Sequence, residues 1–341
     1  MSDFKLDVEE CLALQELPSY EFISSLVKNV CAVLANENKE YRPLNCVGQP
    51  GSLLMLYEEN ERCLPVVIVP DIHSRPDFIK NILDCSLPQL KLTVKQALEQ
   101  KKIDLVCVGD AVHTELSSLR WKLISAEFDE GIHTGHYMQD EMIVTLSTLC
   151  AVMSLKILYP ENFHFLKGNH ENILNSNLGG DYAFYKYADE GEMVKCFMQE
   201  YYDEKLLNLI SQYENLLPLI ACGKNYVVSH AEPADVFTTE QLIDARYEEG
   251  VVEGLIWTRN GQVKKSTVVP IMNELLGKKA AKKALYFSGH RPVKENYALR
   301  QEGLLVQIHN PHKQNVVFVQ PDKNFDFEKD IINTKGAKKN A

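Results

Sequence analysis

The stretch ENFHFLKGNHENI, residues 161–173, decides how this chain is read. FHFL is a short apolar run suited to a buried strand, and Gly168 ends it in a turn. A turn alone has no use for the Asn169, His170 and Glu171 that follow. Nitrogen and oxygen donors at a strand end therefore raise the question of what they bind.

Further apolar runs lie on both sides of this one: SLLMLY, LPVVIVP, DLVCVG, NYVVSH and ALYFSGH. Most are separated by helix-like segments, the alternation expected of an α/β sheet with buried strands. Four of them also stop at a metal-ligand type of residue. LPVVIVP leads into Asp71 and His73, DLVCVG into Asp110, NYVVS into His230, and ALYFSG into His290. Loops at the carboxyl ends of strands converge on one edge of an α/β sheet, so these donors are expected to meet. Two carboxylates, an amide and four imidazoles serve nothing in an apolar core, because burying ionisable groups is costly unless they are paired or metal-bound. Imidazoles with Asp and Asn oxygens, and no thiolate, suit manganese, iron or zinc. Asp110 is the candidate bridge between two ions about 3.5–4 Å apart.

At this point the residues resemble the calcineurin-like metallophosphoesterase superfamily, and within it the PPP-type serine/threonine phosphatases and their bacterial relatives. LKILYPENFHFLKGNHE (155–171) carries most of the resemblance; PDIHSR, GDAVHTE, SHAEP and SGHRPV follow the order of the remaining blocks, over residues 64 to 320. The resemblance implies a four-layer α/β/β/α sandwich with its metal site at the carboxyl ends of central strands. It implies a first ion on Asp71, His73 and Asp110, and a second on Asp110, Asn169, His230 and His290. It also implies in-line attack by a metal-bridging hydroxide, with His170 protonating the leaving alkoxide. The expected activity is phosphomonoester hydrolysis, with a phosphoprotein or a nucleotide, including a dinucleoside polyphosphate, as substrate. The opposing reading, a metal-binding pseudophosphatase that serves as a binding module, rests on GDAVHTE. There His113 and Thr114 replace the Asp and Arg that in the family orient the catalytic His and grip phosphate. Glu171 or Asp181 is a candidate substitute for that Asp. Arg75 and Arg291, and after them Arg259 in IWTRN, are candidates for the missing phosphate clamp.

The rest of the chain sets limits. A net charge of -11 disfavours nucleic acid and anionic membranes as partners. Nine scattered cysteines without a CxxC pair suit reduced thiols in the cytoplasm. MIVTLSTLCAVMSLKIL (142–158) reads as a buried helix, because it is short for a membrane span and interrupted by polar residues. Residues 1–45 are expected to form a helical extension, 46–322 the catalytic domain, and 323–341 a disordered polar tail. LLVQIHNPHKQNVVFVQ (304–320) reads as a hairpin, with His309 and His312 as unremarkable turn residues on a loop that could line the cleft beside the last metal block. Residues 120–144 read as an insertion over the cleft, with His133, His136 and Asp140 hanging from it.

Overall fold

The computed structural model describes residues 7–58, 62–263 and 265–335. Strand residues alternate sides, and this sorts the apolar runs into two sheets packed face to face. In the strand Val66–Val69, Val66 and Ile68 face the second sheet, where they meet Val228, Phe287 and Val306. Val67 and Val69 face helices on the other side. The five-stranded sheet runs in the order 331–333, 315–319, 66–69, 104–107, 163–165. Its strands Val66–Val69, Asp104–Cys107 and Phe163–Phe165 are parallel. The six-stranded sheet runs 53–55, 220–223, 226–229, 285–288, 305–307, 298–300. Helices Val251–Ile256 and Val268–Ala281 cover its outer face. The result is the four-layer α/β/β/α sandwich that the resemblance implied.

The helix His136–Leu158 is apolar around most of its circumference and is correspondingly buried on most sides. By length and composition it could cross a membrane, yet most of it lies inside the helical layer. The N-terminal helix Tyr20–Ala35 packs Ile23, Leu26, Val27, Val30 and Leu34 into that same core, so it is continuous with the domain it precedes.

Two features differ from the sequence expectation. Residues 304–320 are not a hairpin: Leu305–Gln307 belongs to the six-stranded sheet and Asn315–Val319 to the five-stranded one. The polar connection between them crosses from sheet to sheet, a path that alternation of apolar runs cannot tell from a turn. The segment from 323 is also ordered as far as residue 335. Phe325 and Phe327 pack together, and Ile331–Asn333 adds an antiparallel edge strand to Asn315–Val317. The aromatic and β-branched residues in this segment outweigh its charge; the basic end, 336–341, lies outside the described residues.

Candidate metal centre

Five strands from both sheets deliver the donors to one end of the sandwich. Their loops approach so closely that a Cβ on Gly168 would overlap Asp110 Oδ1, and one on Gly289 would overlap Asp71 Oδ1. Glycine before Asn169 and before His290 is therefore a condition of the site. His73, Asp110, His113 and His290 all have positive φ, a costly backbone state that clusters at functional sites. Backbone hydrogen bonds hold the loops in place. His290 N–H donates to Asp71 (2.9 Å to Oδ2), His170 N–H donates to Asp110 Oδ1 (3.0 Å), and His73 N–H donates to the Asp110 carbonyl (2.7 Å).

All six expected ligand positions converge. Asp110 Oδ2 lies 3.7 Å from His73 Nε2 on one side and 3.5 Å from His230 Nε2 on the other. Asp71 Oδ2 stands 3.7 Å from His73 Nε2. Asn169 Oδ1 is 2.9 Å from both His230 Nε2 and His290 Nδ1.

The protonation pattern shows what these contacts are. His230 Nδ1 sits 3.0 Å from the Val108 carbonyl, which can only accept, so Nδ1 carries the proton and Nε2 presents a lone pair. Burial pushes the His230 imidazole down to about 4 and lowers those of His73 and His290, so the rings are neutral near pH 7. A lone pair on His230 Nε2 then faces the lone pairs of Asn169 Oδ1 and Asp110 Oδ2. Burial, with Asp71 and Glu171 beside it, pushes the Asp110 carboxyl well above its ordinary range. Acceptors gathered this way repel one another until a cation sits among them, so the donor set fits divalent ions. Asp71, His73 and Asp110 could hold one; Asp110, Asn169, His230 and His290 could hold the other.

The candidate catalytic residues separate into three situations. His170 lies at the rim, its ring stacked on Phe184 at 4.1 Å and its Nε2 3.8 Å from Asp110 Oδ2. His113 is buried beside it, with ring centroids 4.9 Å apart, and its Nε2 is 3.5 Å from Glu190 Oε1. The carboxylate nearest His113 thus comes from Glu190, a residue that sequence reading missed because it arrives from a distant helix. Glu171 does not serve the histidines: its carboxylate accepts from the backbone N–H groups of Gly168, Asp110 and Ala111. Asp181 instead accepts from Ser176 N–H in its own loop.

A cavity of about 350 Å³ opens over the centre, lined among others by Tyr185, Trp257, Arg259 and Arg291. Arg291 makes no side-chain hydrogen bond or ion pair among the described residues, and Arg259 reaches only the Tyr185 hydroxyl, at 2.9 Å. Arg75 is placed differently from the expectation. Its guanidinium donates to the carbonyls of Asp71, Ile72 and Pro311, which fixes it behind the loop and away from the cavity. Thr114 does not line the cavity either; its N–H donates to the buried Glu141. The insertion over the cleft is likewise not what covers it. His133 pairs with Glu200 and His136 with Asp140, and neither lines the cavity, whose wall is formed by Tyr185 and Lys186.

Residues 64–319 match the model of the calcineurin-like phosphoesterases. The chain belongs to that family. It is a metal-dependent phosphoester hydrolase, and the structure gathers candidate metal-ligand clusters suited to that chemistry. Among solved structures, a serine/threonine phosphatase of Saccharomyces cerevisiae with similarity to human phosphatase PP5 superposes with a TM-score of 0.53. It shares 17% identity, over 93% of this chain and 89% of that one, which establishes a common fold. A cold-active protein-tyrosine phosphatase of a psychrophilic Shewanella aligns at 13% identity and a TM-score of 0.41, over 79% of this chain and 77% of its own.

Proposed function

We propose that this phosphoester hydrolase is a two-metal phosphomonoesterase acting on phosphorylated protein side chains, with manganese, iron or zinc as the ions. The observation that carries the reading is the position of Asp110 Oδ2 between the His73 and His230 imidazoles, with His170 at the rim beside it. Ions bound there supply Lewis-acid stabilisation of phosphoryl oxygens and lower the pKa of a water. Asp71, His73 and Asp110 would hold one, and Asp110, Asn169, His230 and His290 would hold the other. Arg259 and Arg291 grip the phosphate oxygens from the cavity wall, replacing the clamp that Thr114 cannot form. His170 is placed to pass a proton to the leaving oxygen, although burial and the His113 and His73 imidazoles hold its own imidazole well below its ordinary value, and Glu190 stands 3.5 Å from His113 behind it. Tyr185 and Trp257 provide an open aromatic wall that suits an extended peptide. Nine unpaired cysteines support a reducing, cytoplasmic setting.

Six converging metal-ligand positions with His170 beside them favour an enzyme over a pseudophosphatase, since a structural ion could be kept with fewer ligands. The test is hydrolysis of p-nitrophenyl phosphate, bis-p-nitrophenyl phosphate and a phosphopeptide by stripped protein resupplied with manganese, iron or zinc. Metal-restored turnover of the monoesters, absent in Asp110→Asn, is the expected result. Turnover of the diester alone would refute the monoesterase reading, and none with two ions bound would favour the binding module.

A further inference from the structure

His309 lies in the sheet-to-sheet connection, and no part of its side chain reaches solvent. Its Nε2 is 2.8 Å from Glu115 Oε2. A carboxylate accepts that hydrogen bond, so Nε2 carries the proton and Nδ1 is left with a lone pair. Nδ1 has no hydrogen-bond partner among the described residues, and it points at Asp71 Oδ2 from 3.7 Å, too far for a hydrogen bond. A protonated Nδ1 would be an orphaned buried donor, and an unprotonated one would face a carboxylate oxygen. A cation between them satisfies both.

The remaining geometry agrees. Asp71 Oδ2, His73 Nε2 and His309 Nδ1 gather within 4.8 Å of one another, with Asp71 Oδ2 3.7 Å from each nitrogen. Four ligands at about 2.1 Å in a tetrahedron stand about 3.4 Å apart, close to these separations. Glu115 is itself fixed from its other oxygen, since Lys186 Nζ donates to Oε1 at 2.5 Å. A histidine whose second nitrogen is held by a carboxylate is the usual form of a metal-ligating imidazole.

We infer that His309 is a further ligand of the ion held by Asp71, His73 and Asp110, and that Glu115, tied to Lys186, is its positioning residue. The inference rests on the two-metal reading above. It gives the GDAVHTE block a second meaning: its Glu115 comes with a ligand almost two hundred residues downstream.

The full chain should be stripped with chelator and titrated with Mn(II), counting ions per chain by elemental analysis and recording the electron paramagnetic resonance spectrum. Wild type should take up two ions with the spectrum of a coupled pair. His309→Asn should give the six-line spectrum of an isolated ion at the same free Mn(II), its lost site weakened at least about tenfold. Glu115→Gln, a nearly isosteric change that decides the matter if the first variant misfolds, should weaken that site about 10- to 100-fold and regain the coupled spectrum at higher Mn(II). Folded variants that hold a coupled pair as tightly as wild type overturn the inference alone. A wild-type chain without a coupled pair overturns the two-metal reading and the inference with it.

Discussion

Two of the places where the molecule buries charge are built on opposite principles. At the foot of the long helix, Glu37 is met by Arg42, Lys156 and the Tyr41 hydroxyl, while Lys156 also donates to the carbonyls of Pro160 and Phe163. Donors and acceptors are matched there; only the adjacent His164, whose ring nitrogens make no hydrogen bond, lacks an explanation in the structure. At the other place, neutral imidazoles, an amide oxygen and two carboxylates face each other with acceptors in excess. A network that completes itself serves the fold, whereas one that needs a cation serves something the chain binds.

Several substitutions would break or sharpen that contrast. Asp110→Asn should remove activity by about 10³-fold or more, the scale for one member of a unit that acts together, and should release bound ions. Metal content and turnover measured on one preparation check it. His170→Asn should retain metal yet lose about 10²- to 10⁴-fold in turnover, the usual contribution of a general acid, with alkyl phosphates hit harder than p-nitrophenyl phosphate. Full activity on an alkyl phosphate would remove it from that role.

Lys156→Met should reverse the pattern. Removing one partner of a buried pair costs about 3–5 kcal/mol, readable in urea unfolding. Turnover per folded molecule should stay near wild type, and adding Mn(II) should raise the unfolding midpoint as much as it does in the parent. Arg259→Ala and Arg291→Ala should each raise KM about tenfold with less effect on kcat, the loss of a charge-assisted phosphate contact.

The smallest effect concerns pH. Burial alone would raise the Glu37 carboxyl, but Lys156 and Arg42 hold it below its ordinary value. As pH falls the unfolded chain therefore takes up this proton first. The stability Glu37 contributes is complete above about pH 5 and is lost on acidification through the folded value. Glu37→Gln should flatten that part of the stability curve.

Legibility in the sequence followed the range over which each residue acts. Asp71, His73, Asp110, Asn169, His230 and His290 each end an apolar run, so strand reading alone could suggest that they meet. Glu190 and His309 gave no such signal: one starts a helix, the other looked like part of a turn, and each matters only through a contact across the fold. Arg75 was misjudged for the related reason that nearness in sequence to a ligand says nothing of which way a guanidinium turns. The edge strand at Ile331–Asn333 was obscured by the basic residues after it.

The connection from Ile308 to Gln314 leaves one sheet and enters the other, and Asp71 on one sheet receives the His290 N–H from the other. The donor cluster is therefore a gauge of how the two halves are seated. A ligand that draws these loops together also presses the sheets into register, and a slip between sheets far from the cavity would be felt first as weaker ion binding.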